Sequence, residues 1–259
     1  MSASQYAALS KDLHLQYLLR LADTSLILGQ RLSEWVGHAP ALEEDLGLAN
    51  ISLDLIGQAR LLLSYAGEIE GRGRSEDELA FLRDAPEFRN LTLVEQPNGD
   101  FGRTLVRQLL ASAFQLELYT ALSSSADTRL AEIAAKALKE TAYHFRYSAG
   151  WVVRLGDGTV ESRTRVQTAL NELWPFIAEL FASDSVDESI AAAGVAPRAA
   201  DLQAAWSMRI DAVLTAATLT RPADAVFPWH GKGGVHTEHL GYLLAEMQFL
   251  QRAYPGCSW

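Results

Sequence analysis

The stretch KETAYHFRYSAGW, residues 139–151, holds the side chains best able to do chemistry in this sequence. Glu140 and His144 lie four residues apart on a segment whose pattern predicts a helix, with Tyr143 at the third position after the glutamate. A Glu-x-x-His pair is the half-site of carboxylate-bridged di-iron centres, which combine two such pairs with a further glutamate from each of two other helices. The carboxylates bridge the irons and each imidazole completes one coordination sphere, readying the pair to activate dioxygen. Here the spacing is four instead of three, and Tyr143 stands where the ligand belongs.

Other polar residues interrupt apolar helical patterns in the same way. Asp23 and Gln30 share a face of the first long helix, and Asn50, Asp54 and Gln58 form a stripe on the second. Glu117 sits in FQLELYTAL on the third, and Lys136, Glu140 and His144 form a stripe on the fourth. One carboxylate per helix, in the order Asp23, Asp54, Glu117, Glu140, follows the di-iron pattern. The histidines do not follow it, because Gly57 occupies the third position after Asp54 and Gln58 follows. Converging carboxylates repel unless a cation, hydrogen bonds or protonation compensates. Lys136, one turn before Glu140, is the expected replacement for part of the metal's charge. Asp23, Asp54, Gln58, Glu117, Lys136, Glu140, Tyr143 and His144 are therefore expected to form a vestigial pseudo-site, with no catalytic and no metal-binding residue in this chain.

Positioning these residues requires long helices, and the sequence supplies them. Ala and Leu dominate the long segments, and alternating β-branched runs are missing. Helices are predicted near 12–36, 42–68, 76–83, 101–123, 127–155, 159–182, 198–218 and 237–253. Gly37 and Pro40 stop the first, Asp127 caps the fifth, and Gly156 and Gly158 end it. The first, second, fourth and fifth are apolar around much of their circumference, as in the centre of a bundle. The expected fold is all-α, a single-domain four-helix bundle over 1–259 with extra C-terminal helices.

The C-terminal stretch contains His230, His236 and His239 with Glu238 among them. His236 and His239 could share a metal, but spacing places no third ligand. Thr237 and Glu238 also suit a helix start. GKGG lacks the P-loop pattern, no Gly-x-Ser-x-Gly elbow occurs, and Arg72 and Arg74 read as a solvated loop. Pro228, Trp229 and Trp259 read as docking or packing residues.

Composition narrows the function classes. The chain has 32 acidic and 22 basic side chains, a formal charge of −10, which disfavours nucleic acid and anionic membranes. Cys257 is the lone cysteine, so no intrachain disulfide is available. The start MSASQYAALSKDLH lacks a signal-peptide pattern, and Asp54 and Arg60 interrupt the longest apolar run. A soluble cytoplasmic protein is expected.

The stretch LADTSLILGQRLSEWVGHAPALEEDLGLANISLDLIGQARLLLSYAGEIEG resembles the N-terminal half of the C subunits of bacterial phenylacetyl-CoA 1,2-epoxidases. HTEHLGYLLAEMQFLQRAYPGCSW is similar to their C-terminal signature, and KALKETAYHFRYSAGWVVRLGDGT falls between the two. The resemblance implies a ferritin-like fold and a place in a multicomponent monooxygenase of aerobic phenylacetate degradation. It implies a non-catalytic structural subunit that pairs with and supports the catalytic A subunit. That partner would hold the di-iron centre and bind the CoA substrate. It also implies further partners in the complex, including an iron–sulfur flavin reductase subunit, and homodimerisation of the isolated chain is a further expectation. Two other readings stay open from the residues alone. One is an autonomous di-iron oxygenase using Asp23, Asp54, Glu117, Glu140 and His144, and the other is a helical module that binds CoA thioesters.

Overall fold

A computed structural model describes residues 9–225 and 230–257. Their regular structure is helical, with one isolated β-bridge between His230 and Val235. Pro228, Trp229 and Trp259 lie outside the described residues. Contacts group the chain into two units, one of Leu9–Pro97 with the C-terminal segment, the other of the stretch between them.

In the first unit, α1 spans Lys11–Ser33 and α2 spans Leu42–Glu70. The Ser10 hydroxyl accepts from the Leu13 amide and starts α1. The helix ends at Ser33, before Gly37, because the chain tightens into i→i+3 turns at Trp35 and Val36. Gly37 then takes a left-handed conformation, and its amide is held by Asp45 at 2.9 Å. The two helices pack side by side and close together at Gly29, where the Ser52 hydroxyl donates to the Gly29 carbonyl at 2.7 Å. A Cβ at Gly29 would sit 3.3 Å from the Ser52 carbonyl oxygen, so the close approach depends on glycine.

The short helix α3, Glu76–Phe81, opens with a capping box between Ser75 and Glu78. An irregular stretch containing the 3₁₀ turn Ala85–Glu87 follows. The C-terminal segment returns as α10, Glu238–Met247, and α11, Phe249–Ala253, where one continuous helix is expected from the pattern. At Gln248, between the two helices, the side-chain amide donates to the carbonyls of Ala80 and Arg83 at 3.1 and 3.0 Å.

In the second unit, α4 (Phe101–Leu122) lies along α5 (Thr128–Gly156), and α6 (Val160–Leu173) packs on both. Asp127 caps α5 as its sequence indicates, accepting from the Leu130 amide at 3.1 Å. The helix expected over 159–182 is interrupted by Pro175, which imposes a 3₁₀ turn at Trp174–Phe176 before α7, Ile177–Phe181. The helix α8, Ser185–Ala192, is not among the expected elements; it is too short for a clear apolar period, although Asp184 caps it. The helix α9, Gln203–Ala216, places Trp206 against Trp174 and Phe181 in an aromatic core.

Burial around these helices departs from the sequence reading. Both α1 and α4 are buried on most sides, whereas α5 buries one stripe and α2 turns Leu42, Leu46 and Leu53 outward. By length and composition alone, α2 is also apolar enough to cross a membrane, although less than half of its apolar window is buried.

Candidate functional site

Asp23 is fully buried, and both of its oxygens are occupied. The Arg83 guanidinium grips it with two nitrogens, Nη1 at 2.9 Å from Oδ2 and Nη2 on Oδ1, and the Arg89 amide adds a bond of 2.8 Å. Arg83 also donates to the Glu87 carbonyl and stacks 4.3 Å over Phe88. A bidentate guanidinium neutralises a buried carboxylate and leaves little of it for a metal. Beside the pair, burial lowers the Arg89 guanidinium from its ordinary range.

On α2, Asp54 is only half-buried and borders the exposed Leu53. The fully buried pair at half-site spacing is Leu55 and Gln58, one residue later than the expected Asp54 and Gly57. A shift of one residue turns a helical position by about 100°, enough to move a side chain from core to surface.

The same shift occurs on α5. Glu140 is half-buried, Lys136 is exposed, and Tyr143 is 37% exposed beside Arg146 and Tyr147. The core-facing pair at i, i+3 is Thr141 and His144, both fully buried. The stripe Lys136, Glu140, His144 therefore does not share one buried face. An exposed ammonium stays hydrated and does not stand in for a metal's charge in a core. Glu117 on α4 is paired with Arg209 of α9, whose guanidinium also lies over Phe145.

Between α4 and α5 runs a seam of polar groups: Gln108, Ser112 and Gln115 from one helix, Thr141, His144 and Ser148 from the other, all buried. The hydroxyls of Ser112 and Ser148 are 3.4 Å apart, and Ser148 donates to the His144 carbonyl at 2.8 Å. Both amide atoms of Gln108, Oε1 of Gln115 and Oγ1 of Thr141 have no hydrogen-bond partner.

This donor chemistry does not fit a di-iron centre. Such a centre needs carboxylates on the buried faces, where α2 presents Leu55 and Gln58 and α5 presents Thr141 and His144. Among the described residues, no three His, Cys, Asp or Glu side chains are placed to share a metal ion.

A polar network that the sequence reading did not anticipate surrounds Glu95, a fully buried carboxylate in the irregular stretch before α4. Its Oε1 accepts from the Thr237 amide at 2.6 Å, and its Oε2 accepts from Asn90 Nδ2 at 3.0 Å and faces His236 Nδ1 at 3.0 Å. His236 Nε2 is 3.0 Å from the Phe88 carbonyl, so the ring bridges a carboxylate and a backbone oxygen. Arg31 donates to the carbonyls of Glu95 and His239 at 2.7 and 3.3 Å. The histidine motif thus fastens the start of α10 to α1 and the irregular stretch, with Thr237 at the N-cap position and Glu238 exposed in the first turn. Arg74, expected in a solvated loop, instead holds Glu70 through Nε at 2.8 Å.

The long paired helices, α1 with α2 and α4 with α5, define a class, the all-α helical proteins. Residues 2–259 match the family described as phenylacetic acid catabolic protein, and the chain belongs to that family, whose fold is ferritin-like. It is similar to the C subunit of the 1,2-phenylacetyl-CoA epoxidase of Escherichia coli (strain K12). The two are 53% identical over 243 residues, covering 94% of this chain and 98% of that protein.

Proposed function

We propose that this chain is the non-catalytic structural subunit of a multicomponent phenylacetyl-CoA 1,2-epoxidase. In this reading it carries no di-iron centre and acts by packing against the catalytic A subunit that does, with a reductase subunit supplying electrons in the cytoplasm. The observation that carries the proposal is the pair of buried half-site faces, Leu55 with Gln58 and Thr141 with His144, which hold no carboxylate. The near-complete coverage of the E. coli C subunit supports the same reading. Its work would be mechanical: Asp23–Arg83 and Glu95–His236 fix the helices from within, so that their outer faces present a rigid surface.

Reconstitution tests this. Separately purified catalytic subunit and reductase should turn over phenylacetyl-CoA faster and survive longer when this chain is added, and this chain with reductase should give no product. Product formation without the catalytic subunit would overturn the proposal.

A further inference from the structure

We infer that Glu95 and His236 form a proton-dependent latch on the C-terminal segment. The latch is closed while the pair holds one proton more than a neutral imidazole beside an ionised carboxylate would. It opens when that proton leaves on the alkaline side. The inference is independent of the functional proposal above.

The proton count follows from hydrogen-bond geometry. His236 Nδ1 is 3.0 Å from Glu95 Oε2, and Nε2 is 3.0 Å from the Phe88 carbonyl. A carbonyl oxygen only accepts, so the second contact needs a hydrogen on Nε2. The first contact needs another hydrogen between Nδ1 and Oε2, because two lone pairs at that separation repel. A neutral ring has a single N–H and an ionised carboxylate has none. Both contacts are therefore made only with an added proton, and the imidazole, the stronger base of the two, carries it.

The surroundings supply no other cation for the carboxylate. The Glu95 side chain is fully buried and that of His236 is 5% exposed. Besides His236, the carboxylate accepts from the Thr237 amide and from Asn90, both neutral donors. Arg31 of α1 is directed to the carbonyls of Glu95 and His239, and its Nη1 pairs with Glu34. Arg89 donates to the same Phe88 carbonyl as the ring, at 2.7 Å, and Glu87 accepts from the Asp84 amide. Lys232 is buried in the turn Gly231–Gly233, against which His230 packs, and Glu238 is exposed. Among the described residues, none of these cations reaches the Glu95 carboxylate. A buried carboxylate facing an imidazole lone pair would be left uncompensated.

The sign of the pH response follows. In the unfolded chain the imidazole gives up its second proton across its ordinary range, where the carboxylate is already ionised. The folded pair binds one proton more there, so stability falls as pH rises. The contribution is whole below the ordinary imidazole range and is lost as the folded pair releases its proton. Either the Phe88 carbonyl or the carboxylate then meets a lone pair, and the start of α10 comes away from the irregular stretch.

The test uses the full chain with ¹⁵N-labelled histidine rings. At about pH 7.5 both ring nitrogens of His236, assigned by their absence from His236→Gln, should carry hydrogen, whereas an exposed imidazole has lost one there. Between about pH 7.5 and pH 9.5 the amide protection factors of residues 238–247 should fall at least about tenfold, and those of α5 should not. His236→Gln and Glu95→Gln should each begin with weaker protection of α10 and lose the alkaline decline. Circular dichroism checks that both variants remain helical. A His236 ring with one N–H at the lower pH, protection indifferent to alkali in the parent, or an undiminished decline in His236→Gln would each overturn the inference.

Discussion

The Asp23 carboxylate and the Arg83 guanidinium form a buried, two-pronged ion pair that joins α1 to the segment after α3. A buried pair of this kind stabilises little relative to an apolar substitute, but breaking it leaves an uncompensated charge in the core. Arg83→Met should therefore cost about 3–5 kcal/mol of unfolding free energy, and Asp23→Leu with Arg83→Met should recover most of that loss. Urea denaturation of the two variants checks the prediction.

Glu95→Gln should release the C-terminal segment selectively. The amide can still accept at one atom, but its NH₂ then opposes the donors of Asn90 and His236. A loss of about 1–3 kcal/mol is expected. Hydrogen exchange should quicken in residues 236–247 and remain unchanged in α5.

Stability should fall as the pH drops below the ordinary carboxylate range. The hydrogen bond from Arg74 lowers Glu70 from its reference value of 4.5, and the backbone hydrogen bond with Ser75 lowers Glu78. A carboxylate depressed in the folded state contributes stability above its unfolded value and loses it as pH falls through its folded value. Arg74→Gln should flatten this decline, as read from thermal midpoints measured between about pH 3 and pH 6.

The polar residues of α5 should respond in opposite ways to their sequence expectation. Lys136→Met, on the exposed face, should change stability by less than about 0.5 kcal/mol at neutral pH. Thr141→Val removes a buried hydroxyl that has no partner while preserving shape, and should be neutral or stabilising by up to about 1 kcal/mol. Chemical denaturation of the two variants side by side decides this.

Local signals place the long helices well. Ser75 with Glu78, Asp100 and Asp127 cap where their types indicate, and Pro175 breaks its helix where its missing N–H requires. The candidate site is legible only in part, because reading from the carboxylates sets the wrong register. Leu130, Ala134 and Ala137 define the buried line of α5, and extending that line reaches Thr141, His144 and Ser148 instead of Glu140. Asp23 is identifiable as a buried charge, but its partner lies 60 positions away. Glu95 and His236 are 141 positions apart, and one of them sits in irregular backbone. Periodicity carries no information about such pairings, since they depend on how the elements pack.

Metal content, measured after anaerobic loading with ferrous iron and desalting, tests most directly whether this chain is a scaffold without a di-iron centre. The buried Leu55, Gln58 and Thr141 predict iron well below one atom per chain, no oxo-bridged di-iron absorption on exposure to oxygen, and no product from phenylacetyl-CoA with reductase alone. Two tightly held irons per chain, with turnover in the absence of any other oxygenase subunit, would contradict it.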